Sequence, residues 1–408
     1  MQDLSRRALN IADLRLLAKR RLTKALFDFC DRGSEEEVMM RDNRAILDAI
    51  KLLPRQLVDT TARDPGTTLF GKPHAMPVLI GPTGIAGWTW YRAEIAMARA
   101  AAAANVPFTL ASSSNTPMER VKEEGGGTQW FHLYVWRDVE AAMVSVDRAR
   151  DAGFEALVVT VDSPTYNNRE IDIRNGATLP PRITLQSAID SLRHPRWLFG
   201  TMLPYLIAER GMPGWPNIHI PEGQSNAGYG SGQIDSFMTR NASLTWDWLQ
   251  RIRERWPGTL LVKGILHPDD AVKAAECGAD GIFVSNHAGN VLDSAALSME
   301  MLPHVRAAVG DRLTIIVDSG FRRGSDVLKG IALGADAVAI GRASLYGAAA
   351  AGEAGVARAL EIFRNEITRT MGNLGVNRIA DITRDHVLLP GEAPRYTPMD
   401  ATSRVAAQ

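Results

Sequence analysis

The chain has 408 residues, 45% of them hydrophobic, enough for one large core or for two domains. Lys and Arg total 46 and Asp and Glu total 46, so the net charge is zero. That excludes a broad electrostatic footprint for nucleic acid but leaves local basic clusters free to hold a small phosphate. The two cysteines, Cys30 and Cys277, sit in neither a CxxC nor a Cys/His metal spacing, which excludes a disulfide framework and a sequence-evident zinc site.

The first residues, MQDLSRRALNIADLRLLAKRRL, are basic without a long apolar stretch or a cleavage signal. No run is long and apolar enough to span a bilayer, so a cytoplasmic setting is expected. Residues 1–75 read as a helical N-terminal extension, in which LRLLAKRRLTKALFDFCDRG has helical spacing and stops at Gly33. From there, short apolar runs alternate with helical stretches: 76–84, 107–113, 129–135, 156–162, 259–264, 281–286, 313–320 and 337–342. Each run is β-rich and not alternating, as in parallel strands buried on both faces. Eight β/α units in sequence predict a closed (β/α)8 TIM barrel over 76–380, with a last long helix at roughly 353–375 and a tail over 381–408.

Residues 163–240, after the fourth strand, form an excursion too long for an ordinary connection. It holds the Gly/Ser/Asn-rich EGQSNAGYGSGQ and the aromatic, basic-flanked segment 193–215. The readings are a lid over the barrel mouth or a surface that docks peripherally on a membrane or a partner.

Barrel enzymes place catalysis at the C-terminal strand ends. Here those ends carry Pro82, Thr83 and Gly84; His132 and Tyr134; Thr160 and Asp162; Lys263; Ser285, Asn286 and His287; Asp318, Ser319 and Gly320; and Gly341 and Arg342. DSGFRRGSD gives a Gly-flanked turn, two arginines and a helix start, and IGR follows on the next strand, a pattern that holds phosphate. The ordinary alternative is a capped helix with solvated arginines. His287 ends a buried strand among other polar ends and is the candidate base. Asp162 could fix its tautomer. Lys263 is either a stabiliser of negative charge on a cofactor or half of an ion pair across the barrel interior.

LVKG, SNHxG, LD, DSGFRRGSD and IGR, in this order and spacing, resemble the FMN-dependent α-hydroxy acid dehydrogenases and oxidases. The resemblance covers nearly the whole chain. GPTG, HPRW, GMP and LYG look most like the mandelate dehydrogenase branch, whose excursion after strand four is membrane-associated. By position it implies an FMN site of Pro82, Thr83, Gly84, Ser112, His132, Thr160, Lys263, Ser285, Asp318, Gly320, Arg322, Gly341 and Arg342. It implies His287 as base, oriented by Asp162, with Tyr134 and Arg169 on the substrate. It also implies a homotetramer and an electron acceptor that is oxygen, a quinone or a redox protein.

The departures from the family pattern concern the substrate. The tyrosine that bonds the substrate carboxylate falls at Phe29, and the arginine that clamps it falls at Asn290. The flavin-contacting glutamine is His132, a flavin-facing serine is Ala111, and the glycine after the base is Ala288. An asparagine at the clamp position also occurs in the related pre-mycofactocin synthase, which oxidises a peptide-derived core. An arginine–carboxylate bond contributes about 1.5–3 kcal/mol, so its loss weakens a simple hydroxy acid on the order of ten- to hundredfold. The expected substrate is thus a 2-hydroxy acid or a related 2-hydroxy-carbonyl compound, with amides, esters and modified peptides favoured. An FMN-barrel isomerase and an idle flavin scaffold are the competing readings. The joint presence of His287, Asp162, Lys263 and Arg169 argues against the scaffold.

Overall fold

The computed structural model describes residues 2–136, 138–165, 167–176, 185–219 and 241–392. The Gly/Ser/Asn-rich part of the excursion and the end of the tail, from residue 393, lie outside the described residues.

Eight parallel strands close into a barrel: β1 (Val78–Ile80), β2 (Phe108–Ala111), β3 (Gln129–Tyr134), β4 (Ala156–Thr160), β5 (Thr259–Ile265), β6 (Gly281–Val284), β7 (Thr314–Val317) and β8 (Ala337–Ile340). Closure is made by β8 on β1, with Val338 opposite Val78. Each strand has the barrel interior on one face and helices on the other, which is why the runs are apolar throughout. Leu79, Trp130, Val158, Leu261, Phe283 and Ile316 fill the interior.

The extension is not purely helical. The predicted helical stretch is split at Leu22–Thr23 into helices Ile11–Arg21 and Lys24–Asp31. A helix Val38–Ala49 follows, then a hairpin of Thr67–Leu69 and Lys72–His74. Leu69 from this hairpin joins the interior cluster, and Phe70 meets Trp130 edge-on at 5.8 Å. Lys51–Leu52 pairs antiparallel with Val387–Leu388, so the tail returns to the extension. The last helix, Arg342–Leu374, begins earlier than its sequence pattern suggests and breaks at Ala351–Gly352. A Cβ on Gly352 would lie 2.5 Å from the Trp90 indole, and its φ of +58° suits glycine.

The described helical part of the excursion runs through Leu185–Arg193, Pro195–Trp197, a π-turn Leu198–Met202 and Leu203–Ala208. It lies on the loops that follow β1 and β2. Trp197 Nε1 donates to the Trp88 carbonyl (2.8 Å), and Asn217 Nδ2 donates to Ser114 Oγ (2.7 Å). Tyr205 is buried and its hydroxyl accepts from the Arg92 amide at 3.2 Å. Arg21 ties the extension into the same junction through Thr89, Ala349 and Thr201.

Candidate active site

His287 stands just past the end of β6, in a turn where three successive residues have left-handed backbones: His287 (φ +55°), Ala288 (+53°) and Gly289 (+75°). Its Nδ1 lies 2.9 Å from Asp162 Oδ1, at the end of β4, and its Nε2 lies 2.8 Å from the Tyr134 hydroxyl, at the end of β3. Asp162 has its carboxyl held below the ordinary range: burial alone would raise it, but His287, and then Lys263, outweigh that. An ionised Asp162 accepts a hydrogen bond from Nδ1–H, leaving Nε2 as the acceptor for the Tyr134 O–H. Gly264 makes room for this. It sits in a bulge of β5 with φ +105°, and a Cβ there would overlap the Asp162 carboxyl.

Lys263 is buried inside the barrel, 2.9 Å from Ser285 Oγ and 3.2 Å from Asp318 Oδ2. Burial pulls its pKa down, but Asp318 and Asp162 more than offset this and the net shift is upward. Lys263 is therefore a fixed cation at the centre of the site. His132 Nε2 lies 2.6 Å from Thr160 Oγ1, its ring edge-on to Tyr134 at 4.6 Å. Ser112 Oγ accepts from the Tyr134 amide (3.1 Å). Gly84 packs against Ser113, where a Cβ would lie 2.5 Å from the hydroxyl oxygen, and Gly341 lies beside Thr83. Pro82 and Thr83 thus share one rim with the end of β8.

Beyond β7, Gly320 adopts φ +89° and the chain enters helix Gly324–Ala332. The amides of Arg322 and Arg323 donate to Asp326 Oδ2, and that of Gly324 to Glu366 Oε2. The helix start is therefore already capped, and the charged donors left for an anion here are guanidiniums. Arg322 lies over the Tyr346 ring at 5.2 Å. Arg342 donates to the carbonyls of Ala288 (2.8 Å), Arg32 (3.0 Å) and Cys30 (3.3 Å). Burial, with Arg322 and Arg169 nearby, lowers its pKa. Among the described ion pairs neither Arg322 nor Arg342 has a carboxylate partner. Two such cations, close enough for Arg322 to act on Arg342, suit a phosphate.

At the other end of the site, Arg169 stacks on the Phe29 ring at 4.9 Å and donates to the Phe29 carbonyl at 2.7 Å. Its Nε is paired with Asp172 at 2.6 Å. Asn290 Oδ1 accepts from Arg169 and, at 3.2 Å, from Arg342, while its Nδ2 donates to the His287 carbonyl at 3.0 Å. Arg174 is exposed and paired with Glu170.

The structure brings together residues that sequence reading did not single out. Asn43, from the extension, exchanges two amide hydrogen bonds with Asn286 (3.0 and 2.8 Å). Asp293, in the LD motif, caps the amides of Val38 and Met39. Arg44 pairs with Asp326. The extension is thus one wall of the His287 turn. The only sequence signal for these contacts is polar residues on an otherwise amphipathic helix face, which does not name a partner.

Comparison with known proteins identifies the family. Residues 18–389 match the family described as FMN-dependent dehydrogenase. The (S)-mandelate dehydrogenase of Pseudomonas putida is 37% identical over 388 residues, covering 94% of this chain and 95% of the relative. A crystal structure described as the monotopic membrane protein (S)-mandelate dehydrogenase superposes with a TM-score of 0.85 at 36% identity, covering 94% of this chain and 99% of that one. An arginine-to-leucine variant of mandelate oxidase, solved with 2-hydroxy-phenylacetamide, gives 0.76 at 32% identity, covering 94% and 99%. The chain belongs to the FMN-dependent dehydrogenase family. It is an FMN-dependent oxidoreductase acting on the CH–OH carbon of a 2-hydroxy acid or a related 2-hydroxy-carbonyl compound.

Proposed function

We propose that this enzyme oxidises a 2-hydroxy-carbonyl compound whose carbonyl group is uncharged, an amide or ester, in preference to a free hydroxy acid. The observation that carries this is the uncharged Asn290, whose side-chain oxygen already occupies the Arg169 guanidinium. Asp172 also pairs with Arg169. Asn290 and Phe29 stand where the family pattern has arginine and tyrosine. An asparagine amide offers a donor and an acceptor without charge, which suits a neutral carbonyl and leaves a carboxylate poorly matched. A mandelate oxidase variant has been solved with an uncharged hydroxyamide, 2-hydroxy-phenylacetamide.

In this reading Tyr134 and Arg169 orient the substrate carbonyl, and His287 Nε2 takes the hydroxyl proton as the carbon is oxidised. Asp162 keeps the imidazole in the tautomer that can do so and stabilises it once protonated. Bound FMN supplies the two-electron acceptor. Pro82, Thr83, Gly84, Ser112, His132, Thr160, Lys263, Ser285 and Asp318 would line its ring and ribityl chain, and Gly320, Arg322, Gly341 and Arg342 its phosphate end. Segment 193–215 would rest on a membrane surface, giving access to a quinone. Phe199, Leu203, Leu206 and Ile207 are exposed along one face of it.

One contact favours a second reading. Arg342 reaches Asn290 at 3.2 Å and could serve as the second carboxylate clamp. The test is anaerobic flavin bleaching with (S)-mandelate, its amide and its methyl ester. The amide and ester should reduce the flavin on the order of tenfold faster or more. Asn290→Arg should raise kcat/KM for mandelate by about ten- to hundredfold. If mandelate is already the best substrate and Asn290→Arg gains nothing, the second reading stands.

A further inference from the structure

Ser319 follows the last buried residues of β7 with φ +86°, a conformation side chains rarely adopt. Glycine would hold the same backbone without strain. Its hydroxyl gives a reason for a side chain there. Ser319 Oγ accepts the Ala288 amide at 3.1 Å and donates to Asp318 Oδ1 at 2.9 Å. The other Asp318 oxygen meets Lys263 Nζ at 3.2 Å. Lys263 in turn donates to Ser285 Oγ, which also accepts the His287 amide at 3.1 Å. These contacts close a ring that runs from Lys263 through Ser285 to the His287–Ala288 backbone, then through Ser319 and Asp318 back to Lys263. Ala288 is itself left-handed without being glycine, so this backbone needs holding.

We propose that Ser319 is a positioning residue: its hydroxyl fixes the left-handed turn that aims His287, and couples that turn to the buried Asp318–Lys263 pair. The described hydrogen bonds of the Ser319 hydroxyl go to the Ala288 amide and Asp318, not to the His287 imidazole. Its effect passes through the Ala288 amide. The strain at Ser319 is local, so hydroxyl and strain can be separated by two substitutions. Ser319→Ala removes the hydroxyl and keeps the strain, while Ser319→Gly removes both.

The experiment uses the FMN-loaded full chain. Hydrogen exchange at the Ala288 amide, read without substrate, should accelerate about three- to tenfold in both variants, as loss of one hydrogen bond allows. Flavin reduction, with whichever of mandelate or mandelamide the wild type uses faster, should slow by about the same factor in both, at unchanged KM. Ser319→Gly should unfold at a higher temperature than Ser319→Ala, by about 1–3 °C. Wild-type protection at Ala288 in Ser319→Gly overturns the proposal. So does wild-type reduction rate in both variants, or a loss seen only in KM. If neither compound reduces the wild type, the substrate reading fails, but the exchange measurement still decides the role of Ser319.

Discussion

At the scale of single residues, the His287 turn sets an orientation against backbone preference. His287 and Ala288 hold left-handed backbones, each unfavourable by roughly 1 kcal/mol or more for a side-chain-bearing residue. Packing against the extension and the hydrogen bonds that the His287 and Ala288 amides donate to Ser285 and Ser319 offset this. The return is an imidazole pinned at both nitrogens, between Asp162 and Tyr134. His287→Gln removes the proton acceptor without removing a predicted flavin contact. The purified variant should remain yellow with FMN while its rate of reduction by substrate falls by about 10²- to 10⁴-fold in anaerobic stopped-flow. A near wild-type rate would move proton abstraction to another group. His287, Asp162, Tyr134 and Lys263 were legible in the sequence because each is a polar residue at or just past the end of a run otherwise buried on both faces. Ser319 showed only as one more polar strand end, without its role, and Asn43 and Gly264 were not legible. What they do depends on a partner 31, 243 or about a hundred residues away, and no local pattern encodes that partner.

At the scale of elements, the barrel strands were readable because double burial writes itself as an unbroken apolar run. The excursion was readable only as an anomaly of length and composition, since 197–207 is apolar on more than one side. The structure sorts its faces. Trp197, Thr201, Met202 and Tyr205 are buried toward the loops after β1 and β2, while Phe199, Leu203, Leu206 and Ile207 face outward. The outward set recurs at intervals of four, three and one, a single helical stripe. No helix among the described residues is long and apolar enough to cross a membrane. The stripe suits the proposed contact in the interface plane. Phe199→Glu with Ile207→Glu should lower co-sedimentation with phospholipid vesicles at least tenfold, given about 1.5–3 kcal/mol for each buried apolar side chain. Flavin reduction by substrate should be unchanged, because neither residue approaches the His287 site. Unaltered sedimentation would assign the stripe to another partner. The broken first helix and the hairpin beneath the barrel were hidden for a related reason: their boundaries are set by what they pack against, not by local propensity.

At the scale of the whole molecule, the extension, the barrel and the last helix meet around one carboxylate. Asp31 accepts two hydrogen bonds from Arg15, both 2.6 Å, and one from Tyr346, also 2.6 Å. Arg15 belongs to the extension and Tyr346 to the last helix, directly beneath Arg322. The sequence offered Tyr346 only as part of a family-like motif and gave no hint that Asp31 was its partner. Burial would raise the Asp31 pKa, but Arg15 and Tyr346 outweigh it and the net shift is downward from 3.8. A carboxylate with a depressed folded-state pKa stabilises the fold above its unfolded value. That contribution is lost as pH falls through the folded value. At pH 7 the Asp31 network is therefore fully engaged, and below about pH 4 it weakens. Asp31→Asn should cost about 1.5–3 kcal/mol at pH 7, because Arg15 loses a charged, bidentate partner. The gap between variant and wild type should then narrow as pH falls below 3.8. Urea unfolding at fixed excess FMN, repeated from pH 7 downward, reads both quantities while holding ligand stabilisation constant. A gap that stays constant with pH would mean that Asp31 acts by shape alone. The extension would then be held to the last helix by packing and by hydrogen bonds such as that of Arg21 to the Ala349 carbonyl, without an ionic contribution from Asp31.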